Sequence, residues 1–108
     1  MKLIFSYLLL LSIGIFTRSE SAQATPAQSS PEAKKLAQSC VPCHGETGKS
    51  LNSLWPNLAG QKKAYLSKQL HDFREGHRNN QIMEALAKTL SDADIETLSS
   101  YFSELDEH

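Results

Sequence analysis

Two thiols and an imidazole stand almost side by side in this 108-residue chain, in the run Cys40-Val41-Pro42-Cys43-His44. Cysteines three positions apart, with a histidine directly after the second, form the C-x-x-C-H pattern that attaches a c-type haem. Each thiol can add across one vinyl group of a single porphyrin. The histidine is then placed under the ring, where an imidazole nitrogen can bind the iron. Other uses of two cysteines need companions that this sequence lacks. A thioredoxin-like C-x-x-C requires a βαβ context, and no strand-like run flanks the motif. Structural zinc needs four ligands, usually as two separated pairs, whereas His71, His77 and His108 form no second pair. A disulfide between Cys40 and Cys43 would close a loop too short to staple distant segments.

Haem attachment implies export, and the first residues carry an export signal. Lys2 supplies a positive start, and Leu3 to Phe16 is an apolar run broken only by Ser6, Tyr7, Ser12 and Gly14. Ala22-Gln23-Ala24 provides the small residues read by a signal peptidase. The run is short for a membrane span, which needs about 20 residues, so residues 1–24 are read as a signal peptide cleaved after Ala24. The alternative is an uncleaved anchor. Disulfide-permissive export and a haem added after translocation both fit the bacterial periplasm. Removing Lys2, Arg18 and Glu20 with that segment leaves nine basic against eleven acidic side chains. Such a balance excludes a nucleic-acid binder and leaves docking to local patches. A domain this small is near the lower limit for a self-sufficient core, and covalently held porphyrin would complete it.

The elements that must position the motif read as helices. Residues 25–30 form a flexible Pro- and Ser-rich leader to a domain spanning 31–108. Ser30 is placed as N-cap of a helix opened by Pro31 and Glu32 and running to about Cys40, with Ala33, Leu36 and Ala37 on one face. Gly45 to Ser50 is a turn-rich loop. Leu51, Leu54, Trp55, Leu58 and Ala59 are then apolar without a clear period, which suits the lining of a flat hydrophobic ligand. Trp55 fits that lining and a plain core position equally. Gln61 to Phe73 follows helical spacing through Ala64, Tyr65, Leu66, Gln69, Leu70 and Phe73, with Gly76 as C-cap. A polar connection, Arg74 to Asn80, leads to a short helix near Met83, Leu86 and Leu90. Ser91 caps the last helix, whose buried stripe is Ile95, Leu98, Tyr101, Phe102 and Leu105. No segment alternates with period two, so the fold class is all-α.

These residues resemble a class I cytochrome c from about Pro31 to Ser103. Beyond the haem motif the likeness lies in Trp55-Pro56-Asn57-Leu58-Ala59-Gly60-Gln61, in Tyr65-Leu66 with Gln69-Leu70, in Phe73 with Gly76 and Arg78, in Met83, and in Leu90-Ser91-Asp92 with Tyr101-Phe102. The combination is similar to mono-haem bacterial cytochromes of the c553 kind and to one half of cytochrome c4. The resemblance implies about four helices around one covalent haem c, with the first and last helices crossed. It implies Cys40 and Cys43 as thioether attachments and His44 as proximal iron ligand, with the Pro56 carbonyl accepting the other imidazole N–H. It implies Met83 as the distal sulfur ligand, Trp55 and Leu58 as haem-packing residues, and Ala33 or Ala37 with Leu36 meeting Tyr101 and Phe102. The family often has glycine near Ala33, where this chain departs. As a bare residue beside Ile82, Leu86 and Leu90, Met83 reads more often as core filler than as a ligand, and His77 and His71 are rival sixth ligands that would give a lower potential.

Both axial positions filled by protein leave the iron no open site, which restricts it to one-electron exchange. The expected function is a monomeric periplasmic electron carrier docking transiently with redox proteins, in contact with the membrane only through respiratory complexes. Lysines 34, 35, 49, 62, 63 and 68 include candidates for a docking patch. One alternative is the haem subunit of a larger respiratory or dehydrogenase complex. Another is a haem sensor or peroxidase-like protein in which Met83 is off the iron.

Overall fold

The computed structural model describes residues 26–108; the proposed signal peptide and its cleavage site lie outside the described residues. Five α-helices follow one 3-10 turn: α1 Pro31–Ala37, α2 Val41–His44, α3 Lys63–Glu75, α4 Gln81–Ala87 and α5 Asp92–Ser103. No strand occurs among the described residues, in keeping with an all-α class. None of these helices is long and apolar enough to cross a membrane.

Helices α1, α4 and α5 each start at a residue whose side chain caps them. Ser30 accepts the Ala33 N–H and Pro31 occupies the first turn of α1, where its missing N–H costs nothing. Ser91 and Asp94 form a reciprocal capping box on α5. The Asp94 carboxyl, receiving hydrogen bonds from the backbone and hydroxyl of Ser91, is held below its usual range. Gly76 ends α3 in the left-handed region, with φ 78°.

The core lies between α1, α3 and α5. Ala33 and Ala37 pack with Leu66, Leu98, Tyr101 and Phe102, flanked by Leu36, Leu58 and Leu70. Ala33 is 0 % exposed, so the methyl group that replaces glycine fits without leaving the α1–α5 contact open. Arg74 ties α3 to the start of α5: Nη1 donates to the Leu90 carbonyl at 3.1 Å and Nη2 to Asp92 Oδ1 at 2.6 Å. That guanidinium holds the Asp92 carboxyl below its usual range, first by its hydrogen bond and then by its charge.

Four differences from the sequence reading stand out. The first helix stops at Ala37, and the haem motif forms its own single turn, α2, so the described residues hold five helices rather than about four. Pro42 enters the first turn of α2, where proline is tolerated. Ala27–Ser29, read as leader, forms a 3-10 turn whose Gln28 N–H donates to Glu104 on the exit of α5. Leu51 is fully exposed, and Ala64 is exposed although it shares the helical spacing of the α3 stripe.

Candidate haem site

The site begins with α2. Cys40 is its N-cap and His44 its last residue, so one helical turn holds both thiols and the imidazole in a fixed order. Burial raises the Cys40 thiol above its usual pKa, partly offset by the Ser39 hydroxyl beside it. His44 is 7 % exposed, and its Nδ1 lies 2.8 Å from the Pro56 carbonyl oxygen. A carbonyl only accepts, so Nδ1 carries the proton and the lone pair is left on Nε2. That tautomer is the one a metal ligand needs.

The loop that carries Pro56 is tied down at several points. Ser50 donates from its hydroxyl to the Cys43 carbonyl at 3.0 Å and from its N–H to Asn57 Oδ1 at 2.7 Å. The Gly48 carbonyl accepts from Leu58 N and Ala59 N, and Gly60 N–H donates to the Phe102 carbonyl. Chain reversal after His44 depends on Gly45, with φ 84°, because an added Cβ would stand 1.9 Å from the Lys49 carbonyl oxygen. Sequence, turn and ring orientation are thus linked.

Cys40, Cys43, His44, Trp55, Pro56, Leu58 and Met83 all line one cavity of about 270 Å³. Close-packed interiors keep few voids larger than a water molecule, about 30 Å³ of liquid volume, so this space belongs to a ligand. Leu66, Leu70, Phe73, Leu86, Ala87, Leu90, Leu98 and Phe102 supply most of the remaining wall. Two thiols, an imidazole with a free Nε2, a thioether and an apolar wall are the donor set and surroundings that a covalently attached haem takes. The residues present therefore fit the group. Trp55, 39 % exposed, stands at this wall and not in the packed core. Leu51 is no part of the wall, which corrects its reading as a lining residue, and Ala59 is buried away from it.

Neither His71 nor His77 lines the cavity. The His77 side chain is 68 % exposed and near Asp72 and Glu75. His71 accepts from Arg74 Nη2 at 3.0 Å. Met83 lies in the first turn of α4, its N–H donated to Asn80 Oδ1 at 3.0 Å. Polar residues also stand in the wall, among them Gln61, Asn80 and Arg78, none of which was read from the sequence as a site residue. Arg78 stacks over Phe73 at 4.5 Å from the ring centroid and donates to Gln69 Oε1 at 2.7 Å. Its signal was available: a long cation five residues before Met83, within reach of an aromatic on the preceding helix.

Comparison with known proteins gives a consistent answer. A family model described as Cytochrome c matches residues 30–106. The "Thiosulfate dehydrogenase electron acceptor" of Thiomonas intermedia is 41% identical over 86 residues, covering 79% of this chain and 38% of that protein. Cytochrome c-554(548) of Halomonas halodenitrificans is 40% identical over 67 residues, covering 59% of this chain and 81% of that protein. The solved cytochrome c4 of Acidithiobacillus ferrooxidans aligns with a TM-score of 0.67 at 29% identity, covering 82% of this chain and 54% of that one. The chain thus spans about half, or less, of the longer relatives it matches.

Proposed function

This chain belongs to the cytochrome c family, and from that premise we propose that it is a periplasmic electron carrier whose iron is held by His44 and Met83. Members of the family are electron-transfer proteins, and the paired cysteines Cys40 and Cys43 carry covalent haem c. One observation carries the proposal. His44 and Met83 line the same cavity as both cysteines, and the rival histidines do not.

Bound haem c supplies a one-electron couple between Fe(III) and Fe(II). The residues around it set how that couple behaves. His44, its ring oriented by the Pro56 carbonyl, is a stronger donor than a free imidazole. The Met83 thioether, a soft donor, would favour the ferrous state and raise the potential relative to a second histidine. The apolar wall, including Trp55 and Leu58, lowers the local dielectric and disfavours the extra charge of the ferric state. The α2 turn and the tied loop would hold His44 in one place in both oxidation states.

The proposal extends to the exported form. Cleavage after Ala24 gives a mature chain whose domain starts near Pro31, acting as a monomer that meets redox partners briefly and membranes only through respiratory complexes. The name of the Thiomonas relative favours a dehydrogenase as electron donor, and this is the second reading: service to one enzyme in place of a general shuttle. Mixing the oxidised protein with a thiosulfate dehydrogenase and its substrate tests both. Rapid reduction with no stable complex on gel filtration supports the carrier. Reduction only within a stable complex supports the subunit reading. Carbon monoxide binding to the reduced protein at neutral pH would refute filled axial positions and point to a sensor or peroxidase-like protein.

A further inference from the structure

We propose that Asn80 is the positioning residue for Met83, and that its side chain sets how readily the sulfur leaves the iron; this rests on the ligation reading above. Asn80 is the N-cap of α4, with extended φ of −164°. Its Oδ1 accepts the backbone N–H of Met83 at 3.0 Å, and its own N–H donates to Glu84 Oε1 at 3.0 Å. The bond is therefore made to the very residue whose thioether faces the cavity. Asn80 also lines that cavity, so the cap lies at the ligand site and not behind it.

The geometry gives this cap more leverage than most. Helix α4 is 7 residues long, and a helix of that length is not stable in water without tertiary support. Its only fully packed residue is Ala87, at the C-terminal end. That same end is anchored by Arg74 through the Leu90 carbonyl. Met83 sits in the first turn, where the amide groups have no partner inside the helix. Asn80 and Glu84 supply the partners there. At the same cavity His44 ends a turn closed by Pro56, Ser50 and Gly45. Of the two ligand-bearing turns, the one that carries Met83 is the more weakly held.

Loss of an asparagine N-cap shifts a helix equilibrium by about fivefold. A ligand that enters only when Met83 has left binds more tightly in proportion to the fraction of open sites. Imidazole added to the ferric holoprotein is such a probe. The comparison variant is Ser91→Ala, which removes an equivalent cap from α5. That helix is held along its length by buried Ile95, Leu98, Tyr101 and Phe102 and carries no cavity ligand in its first turn.

The experiment measures imidazole affinity, the near-infrared sulfur-to-iron band and thermal unfolding on wild type, Asn80→Ala, Asn80→Ser and Ser91→Ala. Asn80→Ala should bind imidazole about fivefold more tightly than wild type, and Asn80→Ser, which keeps a capping oxygen, should return to within about twofold. Ser91→Ala should lower the unfolding temperature and leave imidazole affinity unchanged. Equal imidazole affinity in Asn80→Ala and Ser91→Ala overturns the role of Asn80. Absence of the sulfur band in wild type overturns the ligation reading itself, so the two failures are distinguishable. Should Asn80→Ala yield no holoprotein, Glu84→Ala probes the reciprocal half of the cap, with a tightening above twofold expected and none overturning the proposal.

Discussion

Replacing Gly45 by alanine tests whether the exit from His44 admits only glycine. Gly45 has φ 84° and ψ 153°, a region essentially confined to glycine and costing other residues about 1–3 kcal/mol. An added Cβ would also stand 1.9 Å from the Lys49 carbonyl oxygen and 2.7 Å from its carbon. Those are backbone atoms, which cannot rotate aside, so the loop itself must shift. Strain and displacement together exceed about 4 kcal/mol, at the severe end for a single substitution. Gly76 provides the comparison within the same chain. Its φ of 78° and ψ of 17° are left-handed helical, and nothing lies within 4 Å of an added Cβ. Gly76→Ala should therefore cost about 1 kcal/mol. In a domain of this size each kcal/mol lowers Tm by about 4–8 °C. Thermal unfolding of the holoproteins, followed by far-UV circular dichroism and Soret absorbance, should show Gly45→Ala losing at least about 16 °C and Gly76→Ala about 4–8 °C. Equal losses would refute the claim that the chain turns back tightly after the imidazole.

Three further outcomes follow from the packing and the charges. Ala33→Leu, at a position with no exposed surface in the α1–α5 contact, should destabilise by about 1–3 kcal/mol through overpacking, seen as a lower denaturant midpoint with unchanged haem spectrum. Arg74→Met removes the donors to Leu90 and Asp92; the Asp92 carboxyl should then titrate nearer the ordinary carboxylate range, read by NMR. Asp94 has a folded pKa below its unfolded value, so its contribution is present above the unfolded value of about 3.9 and is lost as pH falls through the folded one. Asp94→Asn should accordingly lose less stability than wild type on acidification below about pH 4, measured by denaturant midpoints.

The haem motif, the capping residues and the helical stripes were legible because each is a local signal. Ser30 and Ser91 mark helix starts by their own chemistry, and the C-x-x-C-H spacing has a single use. What the sequence left hidden is set by tertiary contact. The break between Ala37 and Val41 cannot be read from a periodic apolar face that continues through Cys40. Tyr65, Leu66, Leu70 and Phe73 have the spacing of a core stripe, and only the fold reveals that they wall a cavity. Leu51 looks like a lining residue by type and is exposed by geometry. Asn80 was read as the end of a polar connection, although asparagine three residues before Met83 is a capping signal. Arg78, counted in the family likeness, was given no site role because a single cation in a polar loop has no period to betray its wall position.

The most direct test of the account is the near-infrared absorption of the oxidised holoprotein, recorded for wild type and Met83→Ala. Covalent haem together with the weak near-infrared band of sulfur bound to ferric haem is the result expected for wild type. The same band should be absent from Met83→Ala, whose reduced form should bind carbon monoxide. A wild-type protein with covalent haem but no such band, or a band that survives in Met83→Ala, would contradict ligation by His44 and Met83 and with it the carrier mechanism.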